Sequence, residues 1–261
     1  MSDVLRCSLL LAGLLACSAP EEAKRVFVPV ATDGAGLELV TNDLGYEVEV
    51  TRAAVVADDL KFAIAGEAHT SLLRRLSDAV VPVARAHPGH YRGGEVTGEL
   101  PGHFVLSFVP GETEELGDAT LLVGAYHSVN LTLTHAVPDD VGDDDSLLGH
   151  TAVLVGSARK GGQQLRFQAL IDAPASRDIV GIPCDHRIDE TSRGALVLRL
   201  MPHDALEGDT LFDGIDFAAL DADGDAEVLI APGVAAAVDA YNVLRRTLQT
   251  HDHFVVELVL P

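Results

Sequence analysis

From Val26 onward the chain alternates apolar and polar residues in short runs cut by glycine, and that period of two confines most of it to half-buried strands. The runs predicted as strands are Val26 to Val30, Gly36 to Val40, Tyr46 to Thr51, Leu60 to Ala65, Glu95 to Leu100, His103 to Phe108, Ala119 to Val123, Tyr126 to Thr134 and Ala195 to Leu200. Thr151 to Ala158 and Gln164 to Ile171 flank Gly161-Gly162, a pair that tolerates the positive φ angles of a tight hairpin. The period changes in three places. Leu72, Leu73, Leu76 and Val80 recur at helical spacing over residues 67–84, ending near Pro82. A short helix capped by Asp209 or Thr210 is expected to reach Leu220, a second helix runs over Val234 to Leu248, and a last strand covers His253 to Leu260. Roughly ten strands with few helices predict a mainly β fold, an antiparallel β-sandwich or barrel-like domain with helical insertions.

The first twenty residues follow another rule. Arg6 precedes an apolar run from Leu9 to Leu15, far shorter than the ~20 residues of a membrane-spanning helix. Leu14-Leu15-Ala16-Cys17 resembles the bacterial lipobox, whose cysteine is acylated. The expectation is a signal peptide over 1–16, a lipid-anchored tether over 17–24 from an acylated Cys17, and a single β-rich domain over 25–261. That places the protein at the cell envelope, periplasmic or on the outer-membrane surface, held to the membrane by lipid alone. Cys7 leaves with the signal and Cys17 carries lipid, so Cys184 has no partner for an internal disulfide.

The net charge of −22 at pH 7, from 40 acidic against 18 basic residues, argues against nucleic acid or anionic headgroups as partners and favours cations. Eleven histidines stand in this acidic background. His87 and His90 flank Pro-Gly in a loop, and His251 and His253 flank Asp252. In an extended segment the latter pair would share a face. Neutral imidazole ligates zinc or copper, so these four are the candidate transition-metal ligands. Glu95 and Glu99 are possible supporting oxygens, and Cys184-Asp185-His186 is a weaker alternative.

Asp221-Ala222-Asp223-Gly224-Asp225-Ala226-Glu227-Val228 resembles the first eight positions of an EF-hand loop, with carboxylates at alternate positions converging on calcium. Ala226 stands where that loop wants glycine, and Pro232 where it wants a closing glutamate. An outside carboxylate such as Asp239 would have to complete the shell. Nucleophile-elbow, H-E-x-x-H, P-loop and G-x-G-x-x-G patterns are absent, so no catalytic residues are assigned and a non-enzyme is expected.

Gly124-Ala125-Tyr126-His127-Ser128-Val129-Asn130-Leu131 and Leu211-Phe212-Asp213-Gly214-Ile215-Asp216-Phe217 resemble two short stretches of exported β-sandwich lipoproteins. Among these are the copper-associated periplasmic proteins encoded beside methanobactin genes. The resemblance implies histidine metal binding. It does not extend to that family's tryptophan and extra cysteines, since this chain has no tryptophan and a lone cysteine after Cys17. The leading expectation is an extracytoplasmic, lipid-anchored protein that captures zinc or copper, with no protein partner assigned. The alternative is a calcium-stabilised structural or adhesive surface lipoprotein.

Overall fold

The computed structural model describes residues 24–64, 95–141, 145–204 and 207–260. The segment expected as a signal peptide, Cys17, the helix expected over 67–84, and His87 and His90 with the loop expected around them lie outside these residues. No helix among the described residues is long and apolar enough to cross a membrane.

Among the described residues, twelve strands form one mixed sheet. They are β1 (Arg25–Asp33), β2 (Val40–Thr41), β3 (Glu47–Ile64), β4 (Glu95–Phe108), β5 (Thr113–Leu122) and β6 (Gly124–Leu133), then β7 (Ala152–Lys160), β8 (Gln163–Ile171), β9 (Arg177–Ile188), β10 (Ala195–Leu200), β11 (Glu227–Ile230) and β12 (Phe254–Val259). The α-helices among the described residues are α1 (Phe217–Leu220) and α2 (Val238–Thr247). The fold is therefore mainly β, as the period of two requires. Most ladders are antiparallel, whereas β1 with β10 and β8 with β11 run parallel.

β3 organises the sheet. One of its edges carries β7 along Glu47–Val55 and then β6 along Ala57–Ile64. The other carries β2 and then β4. From β4 the sheet continues through β5, β1 and β10 to β12, and from β7 through β8 to β11. All twelve strands contribute to one buried cluster, so the sheet folds over on itself around that cluster. Among the described residues it does not close into a barrel. β9 and β12 lie side by side without a ladder, and there the Leu258 N–H donates to His186 Nε2 (2.9 Å).

Several expected strands merge. Glu47 to Thr51 and Leu60 to Ile64 are parts of β3, and Glu95 to Leu100 and His103 to Phe108 are both β4. The pattern broke at irregular positions. Asp59 sits at φ +48° in a bulge of β3, and its carboxylate accepts from the Gly102 N–H of β4. Residues 53–57 of β3 are buried on both faces. Ala53, Val55 and Ala57 enter the main core, while Ala54 and Val56 pack with Ala136, Leu147 and Val153 under the segment joining β6 to β7.

Candidate functional site

The loop between α1 and β11 is built from a buried anchor outward. Asn42, 3% exposed, donates to the carbonyls of Phe212 and Ile215 (both 3.0 Å) and accepts from the N–H groups of Leu44 and Tyr46. Asp43 accepts from the Gly214 N–H (2.7 Å) and its own N–H donates to Asp213 (3.0 Å), so the turn before β3 grips residues 212–215. The helix expected over 209–220 is consequently turns as far as Ile215, and Asp216 rather than Asp209 or Thr210 caps α1. Phe217 then packs on Tyr46 and Phe167, with ring centroids 5.4 and 5.3 Å apart.

This fixes where Asp221 begins its loop. Ligand oxygens of Asp221, Asp223 and Asp225 lie within 4.8 Å of one another, with Asp223 and Asp225 open to solvent. Gly224 has φ +73° and Ala226 φ +64°. Ala226 thus adopts the left-handed conformation for which an EF-hand loop uses glycine, at a strain of about 1 kcal/mol for a residue with a Cβ. The Ala226 N–H donates to Asp221 (3.3 Å) and the Glu227 N–H to Asp225 (2.9 Å). The chain then enters β11, where the Arg166 N–H donates to the Ala226 carbonyl. β11 itself was not legible as a strand, and it carries the chain away from the helical closure an EF-hand has. Asp239 is not among the gathered oxygens. Three hard oxygen donors fit calcium or magnesium rather than a soft ion. Beside the loop lies an open cleft of about 680 Å³ lined by Arg52, Arg166, Phe167, Asp223, Asp225 and Leu229, among others.

A second acidic group joins Asp204, Glu207 and Asp209. Sequence reading missed it because its residues sit at irregular spacing in a turn, where the Asp204 N–H donates to the Asp209 carbonyl.

The histidine pair at 251 and 253 is arranged differently from the extended segment expected. Both residues lie in turns after α2, and β12 starts at Phe254. His253 is 2% exposed, and its Nδ1 lies 2.9 Å from the Met201 carbonyl. His251 Nε2 lies 3.3 Å from the Asp252 carboxylate. Neither residue belongs to a gathered group of three or more candidate ligands among the described residues. Glu95 and Glu99 are exposed on β4. Cys184, Asp185 and His186 are split by the alternation of β9. Cys184 is fully buried, and burial, with the neighbouring Asp185 charge, pushes its thiol up to about 12, so no thiolate forms at neutral pH. Asp185 meets His127 (2.7 Å), while His186 serves Leu258.

Carboxylates also engage other rings. His150 Nδ1 lies 2.6 Å from Asp172. His103 lies between Asp58 (2.6 Å, at Nδ1) and Asp140 (2.8 Å, at Nε2), which tie β4 to β3 and to the segment after β6. The hydrogen bond to Asp140 is the main cause of a raised His103 pKa; burial opposes it, and Asp58 adds to it. Comparison with protein-family models, curated proteins and solved structures returns no match to this chain.

Proposed function

We propose that this chain is an exported, lipid-anchored β-sheet protein that holds a calcium ion at Asp221, Asp223 and Asp225 and serves a binding or structural role at the cell envelope. The observation that carries the reading is the convergence of three carboxylates in a loop whose Ala226 already has the left-handed backbone an EF-hand requires. Calcium would supply charge neutralisation there, fastening α1 to β11. Sites of extracellular type bind with a Kd of about 0.1–1 mM. At ~10 mM calcium, ten to a hundred times that Kd, the native state gains about 1.4–2.7 kcal/mol. For a chain of this size that raises Tm by about 3–10 °C. Asp223→Ala should abolish the rise. A wild-type Tm that calcium leaves unmoved makes the loop an acidic turn.

Export rests on the apolar segment ending at Cys17. Mass spectrometry of membrane-associated protein should find an acylated Cys17 at the N-terminus, and an intact Met1 on protein from its native host would count against it. A second reading, transition-metal capture, is supported by the His87-Pro88-Gly89-His90 pair. Zinc and copper titrations of wild type and His87→Ala/His90→Ala test it, with binding expected to weaken as pH falls through about 6.5.

A further inference from the structure

In a protein with this excess of acid, arginines are expected to pair with carboxylates. Arg199 does so, contacting Asp33 and Glu257, and Arg166 pairs with Glu227. Three others instead face one cleft. Arg245 and Arg246 in the last turn of α2 meet Arg177, which opens β9, and Asn242, Gln249 and Thr250 complete the wall of a cleft of about 230 Å³. No salt bridge to Arg177, Arg245 or Arg246 is found among the described residues.

Cations at a helix C-terminus have an ordinary explanation, since they complement the macrodipole and its free carbonyls. Here that explanation covers only part of the arrangement. The Arg245 and Thr247 carbonyls accept from the side chains of Gln249 (2.6 Å) and Thr250 (2.8 Å), not from the arginines. Arg245 is fixed through its Nε, which donates to the Asp172 carbonyl (2.8 Å). Arg177 is brought from a distant part of the chain by a turn held at both ends. The Ser176 N–H donates to the Leu133 carbonyl and the Arg177 N–H to that of Pro174, with Ser176 at φ +62°. Guanidinium groups are planar donor forks that match the oxygens of phosphate and carboxylate. With a liquid water occupying ~30 Å³, the cleft admits a small oxyanion with a few waters. Repulsion from distant acids is screened beyond about 8 Å at physiological salt, so a local basic cleft can operate on an acidic molecule.

We propose that Arg177, Arg245 and Arg246 form an oxyanion site for a phosphoryl group, free or at the end of a larger molecule. This site is separate from the acidic loop and independent of calcium binding. The test is calorimetric titration of the full chain with inorganic phosphate at constant ionic strength, in wild type and in Arg177→Gln/Arg246→Gln. Arg245 is retained because it also holds Asp172. Saturable one-to-one binding in wild type should weaken by about tenfold or more when two charged donors are lost, while far-UV circular dichroism and Tm without phosphate stay unchanged. A parallel arm measures retention on phosphatidylcholine vesicles with and without phosphatidylglycerol. Arginine-dependent binding of either probe supports the site and tells which source of phosphoryl group fills it. Binding of neither, or binding undiminished in the double variant, overturns it.

Discussion

Tyr46→Phe isolates one hydroxyl at the base of the acidic loop. That hydroxyl donates to Asp216 (2.6 Å) and accepts from the Ala218 N–H (3.1 Å), joining the start of α1 to the start of β3. Phenylalanine keeps the ring, its contact with Phe217 and the approach of Lys160 Nζ, 4.7 Å from the ring centroid. A hydrogen bond to a charged group contributes about 1.5–3 kcal/mol. The lower part of that range applies, because Asp216 is solvent-exposed and retains the Ala219 N–H (3.3 Å). The expected loss is about 2 kcal/mol, or a Tm lower by about 4–8 °C, with the urea m-value unchanged. The pH dependence gives an independent check. The hydrogen bond from Tyr46 is the main cause that holds the Asp216 carboxyl below its ordinary value. A depressed pKa contributes stability that is present above the unfolded value and lost as pH falls through the folded one. The gap between wild type and variant should therefore narrow below about pH 4. A variant within 1 °C of wild type in a two-state melt, or a gap that does not change with pH, would refute the assignment.

His103 and Cys184 give two further expectations. The raised pKa of His103 means that its stabilisation is fully present below about pH 6.5 and lost as pH rises through the folded value. His103→Gln should thus cost about 1 kcal/mol near pH 6, allowing for solvent screening, and less at alkaline pH, read from urea titrations at each pH. Buried Cys184 should resist a thiol reagent in the native protein and react at once in denaturant; rapid native labelling would contradict its burial.

The sequence was most legible where local chemistry decides structure. The β7–β8 hairpin turns at Gly161 and Gly162, both with positive φ (+58° and +86°), as the adjacent glycines require. It was least legible where tertiary contacts decide. Ala53 to Ala57 read as no period because the segment after β6 covers their outer face. β9 went unread because Pro183 and register shifts against β6 disturb its alternation. Leu211, Phe212, Ile215 and Phe217 have nearly helical spacing, yet most of them are buried from turns that Asn42 fastens. The acidic loop was visible as Asp-x-Asp-x-Asp, whereas the histidines found partners that sequence distance conceals. His127 meets Asp185 on the neighbouring strand, and His253 meets the Met201 carbonyl. The arginine cleft had no sequence signal, because Arg177 is far along the chain from Arg245 and Arg246.

The position of β3 sets a schedule for assembly. Its ladder partners range from Val40 to Arg159, and β1 must wait for β5 and then for β10, whose residues begin at Ala195. Closing such long loops comes before the contacts that reward it, so folding belongs with the slow, millisecond-to-second class of β proteins. While a ribosome is still making the first half, neither β1 nor β3 can complete its pairing. A fragment ending before β7 would leave one edge of β3 bare over Glu47–Val55 and prone to pairing with other chains. Export, as proposed above, would gain from the same delay, because the chain stays threadable until its last strands have been made.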